Sequence, residues 1–480
     1  MNERFLYTYV DLFAGCGGLS LGIERSGGEL RTAVEKSDMA ARTFYFNFID
    51  DSIDAGGWAT HLRSSLLDQV RGRVAVAPLR DVLDLPEAIS LISASPVDVV
   101  VGGPPCQGFS LAGRRNPEDV RNKLPWEFLE FVRRVKPLLV VIENVVGMNH
   151  AMAHGEAPPF AQLRQALIET EPGYNVQAVA VNAVHYGAPQ NRPRLMLIGI
   201  RSDFANEINI TTTKEIWRST FVDEIRGEIP DLAPRPTVRK NESPTIADAI
   251  GDLQNPEPGS DAMRSAIFRK EVGLRSLWGL PAGTGSSGTP PNQERRSHTA
   301  DTQQRFRVYQ WLRANDISPR LISDFTKGGI DGERGALLSL GSVEFPAVAP
   351  DGTVLAESTA ELIKLLRSLK TRKHSQKALS WESSAPTVVT LPDDYVHPSE
   401  PRTFTVRELA RFQGFPDDFE FQGRVTTGAH RRRFEVPQYS QVGNAVSPFL
   451  GLAVGTMLAR VLTMSAVITQ SGRESRLLNV

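Results

Sequence analysis

The chain has 480 residues and a formal net charge of −1, and 41% of the residues are hydrophobic and 23% charged. These fractions are those of an ordinary soluble globular protein, and the length suggests about three domains. This net charge excludes an excess of basic residues over the whole chain. A nucleic-acid partner would therefore have to bind a face on which positive charge is concentrated. Two cysteines exclude a disulfide framework and favour a reducing compartment.

Neither end of the chain carries a clear membrane signal. The N-terminal residues MNERFLYTYV lack the pattern of a signal peptide. Residues 449–470 form a long apolar segment, but Arg460 lies at its middle among several Ser, Thr and Gly residues. Because a charge at the centre of a membrane span is costly, we interpret this segment as a packed C-terminal helix.

The first 200 residues alternate between short apolar runs and helical patterns. The run LYTYVDLF (6–13) predicts a first strand, followed by a Gly-rich turn and a helix from about Leu19 to Gly27 and Gly28. Nearly continuous apolar runs separated by helices indicate a parallel sheet covered on both faces, which is a doubly wound α/β fold. The next helix is predicted at 37–48, and the further strands at 30–35, 97–101, 138–142, 176–181 and 195–200.

The regular pattern is interrupted twice. The stretch 47–77 is polar and contains glycine, which is typical of an insertion, and from about Arg201 the strand–helix alternation is lost. Residues 280–300 are rich in Gly, Pro and Ser and predict a surface loop. Residues 231–385 hold 21 Lys and Arg against 18 Asp and Glu, an excess too small to identify a partner. After Ser384 the pattern becomes regular again.

The motif DLFAGCGG (11–18) follows the first predicted strand. Glycines at this position let the backbone approach a ligand, and they open a helix whose N-terminus favours negative charge. Glu35 ends the second strand about twenty residues later, where a carboxylate can hold ribose hydroxyls, and Asp81 takes a similar place after a third strand. The alternative is a simple tight turn. We interpret Cys16 as a small packing residue because glycines surround it.

The motif GGPPCQGFS (102–110) contains the other cysteine, Cys106. A turn between a strand and a helix can lower the pKa of a thiol and expose it as a nucleophile. Pro104 and Pro105 fix the backbone before it. The alternative is a buried structural cysteine, and the motif alone favours neither interpretation.

Two further motifs place charged residues beside predicted strands. Glu143 follows a buried strand directly, where a carboxylate is costly unless it binds something, although an acidic residue at a helix N-terminus is common. The motif QNRPR predicts that Arg192 and Arg194 lie on one face of an extended segment, and the alternative is a surface basic pair.

Six motifs in order carry a resemblance that none carries alone. The motifs are FAGCGG, PPCQGFS, ENV, QNRPR, RELARFQGFPDDF and QVGNAV. With them the chain resembles the cytosine 5-methyltransferase family over residues 6–200 and 371–465, and RRSHTA around His298 resembles a modest motif that precedes the recognition segment.

The resemblance implies a Rossmann-like methyltransferase domain that uses S-adenosylmethionine, together with a smaller target-recognition domain. We expect catalytic and cofactor-binding residues in 1–200, target recognition in 201–385, and a return to the catalytic domain, including the C-terminal helix, in 386–480.

The resemblance also assigns catalytic roles. Carbon 5 of cytosine is a poor nucleophile, and addition of a thiolate to carbon 6 converts the ring into an enamine. Cys106 is implied as this nucleophile, and Glu143 as the residue that hydrogen-bonds the pyrimidine edge. Arg192 is expected over the base near the thiolate, and Arg194 is expected to support the loop.

The implied cofactor is S-adenosylmethionine, with S-adenosylhomocysteine as product and no metal. Phe13 is expected against the adenine and Glu35 at the ribose, with Asp81 at the adenine edge. Asn444 and Val446 would close the site from the C-terminal side. The full expected set is Phe13, Ala14, Gly15, Gly17, Gly18, Leu19, Glu35, Asp81, Gly103, Pro105, Leu124, Asn444 and Val446.

The resemblance further implies double-stranded DNA as the partner. A cytosine in a duplex has to be flipped out of the stack, so a second domain must hold the DNA. LKTRKHSQK (369–377) and RRRF (431–434) are candidate phosphate contacts, and the alternative for both is a solvated charged face.

The leading interpretation is a bacterial, cytoplasmic DNA methyltransferase that is monomeric and is paired with a restriction endonuclease. The tRNA-acting branch of the family is the nearest alternative, but its recognition region is usually compact. A binding protein without catalysis is disfavoured by Cys106, Glu143 and Arg192. A redox protein is disfavoured because Cys16 and Cys106 lie far apart.

Overall fold

A computed structural model describes most of the chain. Cys106 lies outside the described residues, as do parts of both predicted basic segments. The described residues are 6–105, 123–149, 157–253, 290–322, 325, 337–338, 340–341, 343–369, 375–428, 431 and 435–477, with the backbone alone for 465–477.

The centre of the protein is a sheet of eight strands in the order β3-β2-β1-β4-β5-β8-β6-β9. The first five strands by chain order are mutually parallel where they pair. The strands up to residue 218 are β1 (Tyr7–Leu12), β2 (Gly28–Val34), β3 (Val74–Ala75), β4 (Val99–Gly102), β5 (Leu139–Val145), β6 (Tyr174–Asn182), β7 (Gln190–Asn191), β8 (Pro193–Arg201) and β9 (Ile216–Arg218).

Helices cover both faces of this sheet, because its strands alternate apolar side chains between two cores. Val99 and Val101 face one core and Val100 faces the other, all fully buried. The helices up to residue 207 are α1 (Gly18–Arg25), α2 (Asp38–Phe48), α3 (Ala55–Arg63), α4 (Leu66–Arg71), α5 (Leu79–Leu83), α6 (Pro86–Ile92), α7 (Leu124–Val135), α8 (Pro159–Glu169) and α9 (Ser202–Glu207).

The sheet is mixed, which corrects the prediction that it is parallel throughout. β8 runs antiparallel to both β5 and β6. Only residues 183–192 separate β6 from β8, and they hold a single 3-10 turn and the two-residue β7. A parallel crossover needs a dozen or more residues, so this short connection forces β8 to run back along β6. The doubly wound α/β architecture itself is confirmed.

The rest of the chain adds smaller elements. The later described helices are α10 (Ile246–Ile250), α11 (Ala300–Ala314), α12 (Thr359–Ser368), α13 (Val406–Gln413), α14 (Gln438–Asn444) and α15 (Pro448–Leu477). The later described strands are β10 (Ala347–Val348), β11 (Val354–Ala356), β12 (Lys377–Ala378), β13 (Ala385–Pro386) and β14 (Tyr395–Val396).

A separate apolar cluster lies within the predicted target-recognition region. Phe306, Trp311, Leu362 and Val396 belong to it, so α11, α12 and β14 share one core. β9 extends the central sheet beyond residue 201, and β13 pairs with β7. The boundaries at 201 and 385 stay predictions.

The predicted C-terminal helix is confirmed as α15, and it packs on α1. A Cβ added at Gly22 would lie 2.1 Å from the backbone nitrogen of Leu452, so the two helices touch backbone to backbone. Phe449, Val454 and Leu458 are buried in the same hydrophobic cluster as Ile23 of α1. Within the described part of the chain, no single helix is long and apolar enough to cross a membrane, although α14 and residues 448–464 pass that test together as a bent pair.

Candidate active site

The glycine motif forms a tight turn between β1 and α1. Gly15 and Gly17 have φ angles of +58° and +96°, which L residues with a Cβ rarely adopt. A Cβ at Gly17 would lie 2.4 Å from the Phe48 ring, whereas one at Gly15 would meet nothing within 4 Å. Gly17 is therefore required by packing, and Gly15 borders open space.

Glu35 lies at the edge of this space. Its carboxylate accepts hydrogen bonds from the N–H of Gly15 at 3.0 Å and from the N–H of Ser37 at 2.8 Å. Burial raises the pKa of the Glu35 carboxyl, and these two donors oppose that shift. The backbone N–H of Glu35 also donates to the carbonyl of Ala75 in β3, at 3.0 Å. The carboxylate is thus held where the glycine turn opens.

These residues fit a nucleoside-containing cofactor. Phe13, Ala14 and Gly15 are only half-buried, whereas Leu19 behind them is buried in the core. Open space at Gly15 lets a ligand approach the backbone, and the adjacent Glu35 carboxylate can accept hydrogen bonds from ribose hydroxyls.

Asp11 begins the glycine motif and is buried behind it. The Ser20 hydroxyl donates a hydrogen bond of 2.6 Å to its carboxylate. Burial raises the pKa of the Asp11 carboxyl to about 7, against the effect of that hydrogen bond. Asp11 therefore supports the turn from inside and does not face the open space at Gly15.

Asp81 and Leu124 lie in the first turns of two helices that pack together. Asp81 is exposed in the first turn of α5, and Leu124 is half-buried at the start of α7. Arg80 joins the helices, because its guanidinium lies 2.8 Å from Glu130 and 3.7 Å from Glu127. The structure thus brings the two expected cofactor contacts onto neighbouring helices.

Cys16 is a packing residue, as its position among glycines predicts. Its side chain is buried, and Sγ lies 3.7 Å from the carbonyl oxygen of Gln441. Burial raises the pKa of the Cys16 thiol to about 12. A thiol that remains protonated at neutral pH is a poor nucleophile.

The second glycine motif continues from the end of β4 and passes directly beside the Glu143 side chain. A Cβ at Gly103 would lie 2.9 Å from Oε2 of Glu143, so only glycine lets the chain pass at this distance. Asn144 donates a hydrogen bond of 3.0 Å to the carbonyl of Pro104. The backbone is therefore fastened to β5 at Pro104, two residues before Cys106, and the half-buried Pro105 lies between them.

Arg194 is the arginine that contacts Glu143. Its Nε lies 2.7 Å from Oε1 of Glu143, and each side chain is 11% exposed. The antiparallel pairing of β5 with β8 places Val145 opposite Arg194, which brings the Arg194 side chain close to Glu143. Burial lowers the pKa of Arg194, and the neighbouring carboxylate opposes that shift.

Arg192 has different partners. It is 2% exposed, and its guanidinium donates to the carbonyls of Val388 at 3.1 Å and Gly443 at 2.8 Å. Burial lowers the pKa of Arg192, and the charge of Arg194 adds to this effect. Residue 192 falls in the break between β7 and β8, so regular strand alternation does not extend from it to Arg194. Arg192 therefore contacts backbone carbonyls, whereas Arg194 contacts Glu143. The expected placement of Arg192 near the thiolate stays a prediction, because Cys106 lies outside the described residues.

Two buried glutamines, which the sequence reasoning missed, extend the contacts of Arg192. Gln190 accepts a hydrogen bond from the N–H of Val388 at 2.7 Å and donates to Gln413 at 2.8 Å. The Gln413 amide donates to the carbonyl of Val442 at 2.7 Å, and the backbone carbonyl of Gln413 accepts from the Ser447 hydroxyl at 2.7 Å. The sequence signal that could have identified these two residues was an amide side chain at the start of QNRPR and another at the end of RELARFQ.

The last motif, QVGNAV, lies against the first one. A Cβ at Gly18 would lie 2.2 Å from the carbonyl oxygen of Val446, so these backbones are in contact. Val446 is half-buried and Asn444 is exposed. The structure thus brings Val446 to the glycine turn from the C-terminal side, and a contact from Asn444, two residues earlier, stays a prediction.

The predicted phosphate contacts are described only in part. Lys377 and Arg431 are exposed, and Arg431 lies 3.9 Å from Glu435. His298 lies 3.4 Å from the Thr403 hydroxyl, at the start of the later regular segment. Phosphate binding by 369–377 and 431–434 stays a prediction.

A family model described as C-5 cytosine-specific DNA methylase matches residues 7–57 and 77–460. The match therefore leaves out 58–76, inside the predicted insertion. The type II methyltransferase M.DdeI of Desulfomicrobium norvegicum is 28% identical, over 94% of this chain and 88% of its own length. M.XorII of Xanthomonas oryzae pv. oryzae is 27% identical, over 94% of this chain and 84% of its own length.

A solved structure is similar in fold. It is that of a candidate DNA modification methyltransferase encoded within an Escherichia coli prophage. The likeness has a TM-score of 0.55 at 21% sequence identity, and it covers 95% of this chain and 99% of that one. At this identity the likeness concerns the fold alone.

Proposed function

Because the chain belongs to the C-5 cytosine-specific DNA methylase family, we propose that it transfers a methyl group from S-adenosylmethionine to carbon 5 of cytosine within a specific double-stranded DNA sequence. One observation carries the proposal at the level of this chain's residues. The Glu143 carboxylate lies under Gly103, is paired with Arg194, and so stands beside the segment that leads to Cys106.

S-adenosylmethionine, when bound, supplies a methyl group on an electrophilic sulfonium. Glu35 holds the ribose hydroxyls, Phe13 contacts the adenine, and the backbone at Gly15 approaches the methionine part. The remaining residues that line or close this site are Ala14, Gly17, Gly18, Leu19, Asp81, Gly103, Pro105, Leu124, Asn444 and Val446.

The protein activates the base through a thiol and a carboxyl group. The Cys106 thiolate adds to carbon 6 of cytosine, and the ring becomes an enamine that is nucleophilic at carbon 5. Glu143 hydrogen-bonds the pyrimidine edge and favours its protonation as sulfur adds, a type of assistance that typically contributes about 10²–10⁴-fold. After methylation, the hydrogen on carbon 5 leaves to a base or to water, and the Cys106 sulfur is released.

The two arginines divide the remaining work in this proposal. Arg194 contacts Glu143 and orients its carboxylate toward the base. Arg192 is a positioning residue, because it binds the backbone carbonyl of Val388 and that of Gly443, three residues before Val446.

The substrate cytosine has to leave the duplex, since carbon 6 is hidden in the base stack. We assign target recognition to 201–385, with phosphate contacts from 369–377 and 431–434. The two relatives named above are bacterial type II methyltransferases, which supports a bacterial enzyme that protects host DNA from a cognate restriction endonuclease. A cytoplasmic location and a monomeric state are further parts of this proposal.

The test is transfer of labelled methyl from S-adenosylmethionine to unmethylated DNA and to tRNA in parallel, with Cys106→Ala and Glu143→Gln alongside. We expect label in DNA that is lost with Cys106→Ala and strongly reduced with Glu143→Gln. Label in tRNA alone would move the chain to the RNA-acting branch. Label in DNA that survives Cys106→Ala would overturn the covalent mechanism.

A further inference from the structure

The insertion contacts the chain just after the candidate ribose-binding carboxylate. The indole Nε1 of Trp58, in α3, donates a hydrogen bond of 2.6 Å to Oδ1 of Asp38. Asp38 is the first residue of α2, three positions after Glu35. Trp58 lies in the part of the insertion that the family model leaves unmatched.

Neighbouring aromatic rings fix the orientation of the Trp58 indole. Trp58 is 4% exposed, and its ring stacks on His61 with the centroids 5.2 Å apart. The Tyr45 ring packs against both, at 5.7 Å from Trp58 and 4.8 Å from His61. His61 in turn contacts the carbonyl of Val74 through Nε2 at 2.9 Å, which connects the ring cluster to β3.

The same insertion holds the chain on the other side of the carboxylate. The N–H of Glu35 donates to the carbonyl of Ala75, and Ala75 also belongs to the unmatched residues. The carboxylate itself is held by the N–H of Ser37, whose neighbour Asp38 is the acceptor for Trp58. The insertion therefore contacts the backbone of Glu35, before Ser37, and the side chain of Asp38, after it.

We propose that Trp58 is a positioning residue for cofactor binding, acting through its hydrogen bond to Asp38. That bond fixes where the chain turns from β2 into α2, and so fixes the Ser37 N–H that orients the Glu35 carboxylate. The inference rests on the proposed function, because it takes Glu35 to hold the ribose of S-adenosylmethionine. Removal of the indole N–H weakens binding of a nucleoside cofactor without altering the groups that touch it.

The test measures the dissociation constant of S-adenosylhomocysteine by calorimetry, and the KM for S-adenosylmethionine, in Trp58→Phe. Phenylalanine keeps a buried ring but lacks the donor. We expect about three- to tenfold weaker binding of S-adenosylhomocysteine, with little change in kcat. A tenfold change in the dissociation constant corresponds to about 1.4 kcal/mol of binding free energy. Tyr45→Phe is the matched control, because it changes the same ring cluster without touching Asp38.

Variants at the exposed Asp38 separate this role from packing. We expect Asp38→Ala to weaken S-adenosylhomocysteine binding as Trp58→Phe does, and Asp38→Asn, which keeps an acceptor oxygen, to restore most of it. Combining Asp38→Ala with Trp58→Phe should add nothing further. The variant Glu35→Gln distinguishes failure of the proposed role of Glu35 from failure of the inference about Trp58. Unchanged binding in Glu35→Gln would defeat the role of Glu35, whereas loss there with wild-type affinity in Trp58→Phe would defeat this inference alone.

Discussion

Glu143 and Arg194 form an ion pair of 2.7 Å in which each side chain is 11% exposed. A pair so shielded from water is little screened by salt. Its partners are also difficult to separate, because a buried charge without its counter-ion is strongly destabilising.

We expect Arg194→Ala to lower the free energy of unfolding by about 3–5 kcal/mol, since it leaves Glu143 buried without its partner. Denaturant unfolding measures this directly. The double variant Glu143→Gln with Arg194→Met removes both charges and should be more stable than Arg194→Ala. Equal stability of the two variants would contradict the pairing.

Alanine substitutions at the two glycines of the first motif, Gly15 and Gly17, should impair the protein for different reasons. Gly15→Ala meets open space, and the left-handed backbone alone costs about 1–2 kcal/mol. We expect it to lower cofactor affinity more than stability. Gly17→Ala drives a Cβ into the Phe48 ring, so the loss of stability should exceed that of Gly15→Ala. Thermal unfolding and calorimetry with S-adenosylhomocysteine, run on both variants, would show whether the two effects separate.

The two buried glutamines should be energetically coupled. Replacing either Gln190 or Gln413 with leucine leaves buried polar partners without hydrogen bonds, at a cost of about 1–3 kcal/mol each. In a double-mutant cycle we expect the combined loss to be smaller than the sum by at least about 0.5 kcal/mol. Strict additivity in urea unfolding would show that the hydrogen bond between them contributes nothing.

Asp11 should make stability depend on pH. Its folded pKa of about 7 lies above the ordinary value of 3.8, so the folded chain holds this proton over a range in which the unfolded chain has released it. The favourable contribution is complete below about pH 4 and is lost as the pH rises toward 7 and beyond. Asp11→Asn removes this titration and keeps an acceptor for Ser20.

The measurement is the free energy of unfolding in urea at pH 5, 6, 7 and 8 for wild type and Asp11→Asn. We expect the difference between them to shift in favour of Asp11→Asn as the pH rises. A constant difference across this range would mean that Asp11 does not titrate there.

Much of the central sheet could be predicted from the sequence, because runs such as VDVVV reflect strands buried on both faces. The direction of β8 could not, since hydrophobic periodicity is the same for parallel and antiparallel strands. The resemblance assigned Glu143, Arg192 and Arg194 to one catalytic site. It gave no sign of which arginine contacts Glu143, because that depends on the strand break at residue 192.

The glutamine contacts illustrate a second limit. Gln190 and Gln413 are 223 positions apart, and only the folded chain places their amides side by side. Trp58 is similar, because its hydrogen bond to Asp38 spans 20 residues across a polar stretch that reads as an insertion. Local patterns identify such residues only as amides or rings, without their partners.

The contact between α1 and α15 also bears on when the enzyme becomes active during its synthesis. Gly18 rests against the carbonyl of Val446, and Gly22 against the backbone of Leu452, so the glycine turn has its final neighbours only after these residues have left the ribosome. A nascent chain that stops before Val446 lacks one wall of the proposed cofactor site, however completely its first 200 residues have folded. We therefore expect premature termination products to be silent rather than partly active methyltransferases.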